Sequence, residues 1–258
     1  MSSISETGHT KNVKKFLSLI GFIEGWGVDY KPTNPLLGLA SVKAFYHTCE
    51  AIEKEAREEE KIFDDLVDKR QIVFTPLQPF STRVYNSFIS LDIAQETKDG
   101  ALEINRKLQG KRAKTIKEDK TLITESETPK PKTVSVSQQS FDSQIKNLED
   151  LKSWVALYPV YNPNETELKV ASIETFIQSL HKANNDVIAG IVPYDNKLNE
   201  RDRILYGDKT GMLDIALAIK KYALGAFGAK SVKYKQISGI EFIKMPRKDK
   251  NLAKKKSK

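Results

Sequence analysis

Three histidines (His9, His47, His181), one cysteine (Cys49) and two glycine-bracketed segments are where this 258-residue sequence could carry chemistry. His47-Thr-Cys-Glu50 sets an imidazole and a carboxylate three residues apart, one face of a helix, where both could reach a metal ion. One such pair falls short of a metal-ligand set. Neither His-Glu-x-x-His nor the paired Glu-x-x-His set of a di-metal bundle occurs, so the pair reads as a surface contact. Gly207-Asp-Lys-Thr-Gly211 has the composition of a phosphate loop without its Gly-x-x-x-x-Gly-Lys-Ser/Thr spacing or a preceding strand, and reads as a turn. Gly225-Ala-Phe-Gly228 has the Gly-x-x-Gly spacing of a KH loop without the strands of that fold, and also reads as a turn. Cys49 falls on an apolar seam and reads as a small core residue rather than a nucleophile. Trp26 with Tyr30, and Trp154 with Tyr158 and Tyr161, read as core aromatics with a ligand cleft as the sharper alternative. No catalytic residue, metal or cofactor is assigned, and the chain reads as a non-enzyme.

Charge offers another kind of site. The net charge is +8, of which Arg247 to Lys258 carries +6, leaving a body of only +2. A second excess runs through Arg106, Lys107, Lys111, Arg112, Lys114 and Lys117 before the first acid, Glu118. These residues, with Arg247, Lys248, Lys254, Lys255 and Lys256 of the tail, are the candidate polyanion-binding set. Attraction to DNA, RNA or an anionic surface through them would be salt-sensitive and indifferent to sequence.

The elements that must position these groups emerge from an internal repeat. A shift of 131 pairs Tyr30-Lys-Pro32 with Tyr161-Asn-Pro163, and Ala40-Ser-Val42 with Ala171-Ser-Ile173. It also pairs Phe45 with Phe176, Asp64 with Asp195, Arg70 with Arg201, and Val73-Phe74 with Ile204-Leu205. Upstream it pairs Leu17 with Leu148, Ile20 with Leu151 and Ile23 with Trp154; near the end the shift becomes 129, pairing Leu108-Gln-Gly110 with Ile237-Ser-Gly239. The expected organisation is an unstructured lead over 1–10, a first helical repeat over 11–112 and a polar linker over 113–141. A second repeat over 142–243 and a basic disordered tail over 244–258 follow. The linker, with Pro129 and Pro131, has too few apolar residues to offset the cost of ordering it.

Within each copy, apolar residues recur at steps of three and four. They are Val42, Phe45, Cys49, Ile52, Ala56, Phe63, Leu66 and Val73 in one, and Ile173, Phe176, Leu180, Ala183, Val187, Gly190, Tyr194 and Ile204 in the other. This coiled-coil-like seam predicts one long helix over about 36–75 and another over about 167–206, each about 60 Å long. Pro193 predicts a kink in the second. The rival reading breaks both helices, near Glu60 and Pro193, into antiparallel pairs. Asn34-Pro35 supplies a cap followed by proline at the first helical position. Shorter helices follow, carrying Phe80, Val84, Phe88 and Leu91 in copy one, and Met212, Ile215, Leu217, Ile219 and Leu224 in copy two. Closing helices hold Ile104 and Leu108, and Val232 and Ile237. A helix over about 13–26, and another over about 144–158, leads each copy. The fold class is therefore all-α: two homologous bundle modules, each built on one long helix with shorter helices along it, joined by a flexible linker.

The pattern resembles an uncharacterised group of bacterial two-repeat all-helical proteins. The residues that carry the likeness are Tyr30-Lys-Pro, Arg70-Gln-Ile-Val-Phe, Ile104-Asn-Arg-Lys-Leu-Gln-Gly-Lys-Arg112, Arg203-Ile-Leu-Tyr-Gly and the run from Gly225 to Gly239. The resemblance implies no activity. The segments 106–112 and 233–239 are the first places to look for a binding surface. With no signal sequence, no apolar run of membrane-spanning length and a lone cysteine, the expectation is a cytoplasmic chain. The expected function is a binding or scaffold protein with a protein partner or self-association. A nucleic-acid-associated protein is the first alternative, and a metal-binding or small-ligand bundle the second.

Overall fold

The computed structural model describes residues 4–111 and 139–245, and all regular structure among them is helical. The eight α-helices are α1 (Ile4–Gly25), α2 (Leu39–Phe74), α3 (Leu77–Ile89), α4 (Gln95–Leu108), α5 (Phe141–Ala156), α6 (Val170–Tyr206), α7 (Met212–Phe227) and α8 (Val232–Ser238). Single 3-10 turns stand at Gly27–Asp29, Pro35–Leu37 and Thr166–Leu168. The unstructured lead expected over 1–10 is corrected from Ile4 onward. His9, Asn12 and Val13 are buried, so this stretch has partners enough to hold the helix.

The two long helices are continuous, and α6 runs through Pro193 without ending. Their approach is built the same way twice. The Tyr30 hydroxyl donates to the Leu37 carbonyl at 2.6 Å, and the Tyr161 hydroxyl to the Leu168 carbonyl at 2.8 Å. Each bond ties the Tyr-x-Pro segment to the 3-10 turn that precedes its long helix. Asn34 caps that turn, not the long helix: its side chain accepts from Leu36 N at 3.0 Å, with Pro35 next in line. The buried face is also held in register. Val42, Tyr46, Cys49, Glu53 and Ala56 of α2 stand 131 positions before Ile173, Ile177, Leu180, Asn184 and Val187 of α6, and all ten are buried.

Elsewhere the packing sets a register different from sequence identity. Leu17 is 47% exposed although Leu148 is fully buried, so the two do not correspond. The matching face of α1 is Val13, Phe16, Leu19 and Ile23, which stand 132 positions before Ile145, Leu148, Leu151 and Val155. The connection to the tyrosine is one residue longer in the first copy, Trp26-Gly-Val-Asp-Tyr30 against Tyr158-Pro-Val-Tyr161. Likewise Leu77, Ser81, Val84 and Phe88 of α3 stand 135 positions before Met212, Ala216, Ile219 and Ala223 of α7. The loop ahead of α7, Gly207–Gly211, accounts for the added residues. Leu217 and Leu224 are each 41% exposed, because α7 turns Met212, Ile215, Ala216, Ile219 and Ala223 inward.

The chain divides into two compact units, Met1–Ile62 with Ile191–Lys258, and Phe63–Gly190. These units do not follow the expected boundaries of 11–112 and 142–243. The first core joins Phe16, Leu19 and Ile23 of α1 and Val42 and Cys49 of α2 to Leu205, Met212, Ile219 and Ile237 from the far end of the chain. The second joins Phe74, Leu77, Phe88 and Leu108 to Leu148, Leu151, Ile173 and Leu180. Each unit thus joins segments that precede residue 112 to segments that follow residue 138, and each long helix contributes to both. Full burial of such side chains is worth about 1.5–3 kcal/mol apiece, so these contacts decide which segments associate. In the second unit the Trp154 indole lies directly over Gly100 and donates to the Thr97 carbonyl at 3.1 Å.

Candidate functional site

Of the candidate basic residues, Arg106 and Lys107 fall in the last turn of α4, where cations suit the negative end of the helix dipole. Lys111 follows, exposed. Arg112, Lys114, Lys117, Arg247, Lys248, Lys254, Lys255 and Lys256 lie outside the described residues. Much of the 106–111 segment terminates a helix. The Lys111 amide donates to the Arg106 carbonyl at 2.9 Å and the Gly110 amide to the Lys107 carbonyl at 3.1 Å. Gly110, at φ 66°, takes the left-handed position that such a Schellman cap needs. Gln109 reaches back to α3, donating to the Gln78 carbonyl and the Ser81 and Thr82 hydroxyls. In the 233–239 segment, Lys233 pairs with Asp29 and lies 4.7 Å from the Phe227 ring centre. Gln236 accepts the Trp26 indole N–H at 3.0 Å. Packing and capping therefore use several of the polar groups in both segments.

His47 Nδ1 lies 3.8 Å from Glu50 Oε2, with both side chains well exposed. Among the described residues no group of three or more His, Cys, Asp and Glu gathers as a metal site. Burial pushes the Cys49 thiol up to about 12, which keeps it protonated and unreactive near neutrality. In the Gly207–Gly211 turn, the Gly211 amide donates to the Gly207 carbonyl, and Lys209 sits at φ 66°. Its amide donates to Asp214 of α7 at 2.6 Å, so that amide is already engaged. The aromatic clusters are core: Trp26 packs edge-on to Phe227, Tyr30 edge-on to Tyr222, and Phe88 against Tyr158 and Tyr161.

Two polar clusters, one buried and one half-buried, escaped the pattern reading. In the first unit, Asn12 Nδ2 donates to the Tyr206 hydroxyl at 3.2 Å and to the Ile243 carbonyl at 2.7 Å. His9 Nδ1 lies 2.8 Å from the same hydroxyl. Accepting from Asn12, Tyr206 can direct its own proton at His9 Nδ1, which uses both capacities of the hydroxyl. Burial pushes this phenol up to about 12. Beside it Glu53, 3% exposed, accepts from Thr10 at 2.6 Å, and Arg201 donates twice to Asp202. In the second unit the Arg70 guanidinium sits 3.9 Å above the Phe141 ring and donates to Asn184 Oδ1 at 3.2 Å. Asn184 Nδ2 passes the bond on to Asp142 at 2.8 Å. Both clusters join leading to trailing segments. A buried Asn near one chain end and a Tyr near the other carry no local sequence signal that would pair them.

The open feature of the second unit is a cleft of about 670 Å³. Pro76, Phe80 and Phe176 form its apolar wall, the two rings meeting edge to face at 4.9 Å. Thr166, Ser172, Thr175 and Ser179 line the rest, with Glu167 the ionisable member. The Ser172, Thr175 and Ser179 hydroxyls donate to the carbonyls of Thr166, Ala171 and Phe176. Arg83 pairs with Glu167, which holds that carboxyl below its usual range. The signal that could have pointed here is the run of hydroxyls at 172, 175 and 179 on one helical face beside Phe176. No family model, curated protein or solved structure matches this chain. Among the described residues no helix is long and apolar enough to cross a membrane.

Proposed function

We propose that this chain is a tandem duplication of one helical unit and acts in the cytoplasm as a non-catalytic binding and scaffold protein. The duplication is supported by the paired Tyr–carbonyl bonds, and by long helices that begin 131 residues apart and bury the same positions. The observation that carries the scaffold reading is the exchange of halves. Both long helices serve both cores, so neither copy completes a core by itself. Within each unit the packed helices offer rigid elements on which a binding surface can sit.

In-cell crosslinking of the full chain tests this reading. The expected result is a partner recovered in fixed stoichiometry, with its crosslinks confined to one face of one unit. Turnover of a substrate by the purified chain, lost on changing His9 or Tyr206, would overturn it.

A further inference from the structure

Most of the polar side chains that line the cleft of the second unit are placed to accept hydrogen bonds. Three of its four hydroxyls have given their protons to backbone carbonyls, so toward a ligand they offer only lone pairs. Glu167 offers a carboxylate, and no cationic side chain is among the lining residues. An anion would meet acceptors there, and a carboxylate whose charge Arg83 offsets in part. At the start of α6 the Ser172 and Ile173 amides are engaged, both donating to the Lys169 carbonyl. The wall opposite is apolar and aromatic, and the volume admits a small molecule with an aromatic ring.

We propose that this cleft binds a small amphipathic cation, an aryl-alkyl ammonium whose ring lies against Phe80 and Phe176 and whose N–H groups point to Glu167 and the α6 hydroxyls. Glu167 is already paired with Arg83, and an exposed pair of this kind is weak enough for a ligand ammonium to compete with it. The inference rests on the reading of the chain as a binding protein. It fails on ligand selectivity, whereas that reading fails on turnover, so the two are separately decided.

The test uses the full chain and three probes of similar size: 2-phenylethylammonium, 2-phenylethanol and 3-phenylpropanoate, with affinities followed by ligand-observed NMR. The expected order is ammonium first, at least five-fold tighter than the carboxylate, with the alcohol between. Glu167→Gln lowers ammonium affinity about five-fold and leaves the alcohol unchanged. Arg83→Gln frees the carboxylate and raises ammonium affinity, a gain that misfolding cannot imitate. Thr175→Phe, on the exposed side of α6, fills the cleft and abolishes binding of all three. Equal or tighter binding of the carboxylate, an unaltered response in Glu167→Gln, unchanged binding in Thr175→Phe, or no binding of the ammonium would each overturn the proposal.

Discussion

At the scale of single residues, the buried tyrosines are the clearest points of leverage. Tyr161→Phe leaves the Leu168 carbonyl without its donor in a buried setting, and a cost of about 1–2 kcal/mol is expected in denaturant unfolding. Tyr30→Phe should cost a similar amount through Leu37. The phenols also predict a pH dependence. Burial raises Tyr30, Tyr161 and Tyr206, the last two to about 12. An acid whose folded-state value is raised contributes stability that is whole below its unfolded value, near 10, and is lost as pH climbs through the folded value. Unfolding midpoints should therefore fall between about pH 10 and 12, and fall less steeply in Tyr206→Phe. A flat profile across that window refutes the account. Gly100→Ala sets two effects against each other. Alanine favours the helix by about 1 kcal/mol, but its methyl would sit 2.3 Å from the Trp154 ring. Overpacking costs about 1–3 kcal/mol, so a net loss of stability is expected in thermal melts.

Elements differ in how far the sequence discloses them. The long helices were legible because their apolar steps keep phase, and the structure buries Val42, Cys49 and Ala56 on that seam. Position 193 is the exception to their regularity. Pro193→Ala restores an amide donor in mid-helix, and a rise in melting temperature is expected, since a proline inside a helix costs about 3 kcal/mol. The shorter helices were legible in kind but not in register. Leu17 and Leu148 match as letters, yet the turn between helix and tyrosine differs by one residue, which rotates Leu17 out to solvent and Phe16 in. In α7 apolar residues occur on more than one side, and the inner face proves to be Met212, Ile215, Ala216, Ile219 and Ala223, with Leu217 and Leu224 outside it. The cleft was not legible for a related reason: hydroxyls at 172, 175 and 179 look like an ordinary solvated face until Phe80 is brought opposite Phe176.

For the whole molecule, the pairing of leading with trailing halves was beyond any pattern argument. An amphipathic face specifies that it must be covered, and two stretches of similar apolar pattern offer two similar covers. Fragments test the exchange. Residues 1–111 and 139–258, expressed apart, each lack half of both cores and should show no cooperative unfolding as monomers. Mixed, they should recover it as a one-to-one complex, detectable by sedimentation and by circular dichroism. Cooperative folding of either fragment as a monomer would refute the exchanged arrangement. The basic segments can be tested at this scale too. DNA and RNA binding measured against salt, with and without residues 247–258, should lose most of its salt sensitivity on truncation if the tail supplies the phosphate contacts.

One local contact has a consequence for chain order. Asn12 holds the Ile243 peptide from both sides, donating to its carbonyl at 2.7 Å and accepting its amide at 3.3 Å, and Met245 covers Gly8. The first and last described segments are therefore neighbours, and a short bridge could span them. A circular permutant that starts at Gln139, passes from Met245 through a glycine-serine bridge to Gly8 and stops at Lys111 places the second copy first. It keeps every contact of both cores, so its melting curve should stay close to that of the parent chain. To these two cores, which copy is synthesised first is a matter of indifference.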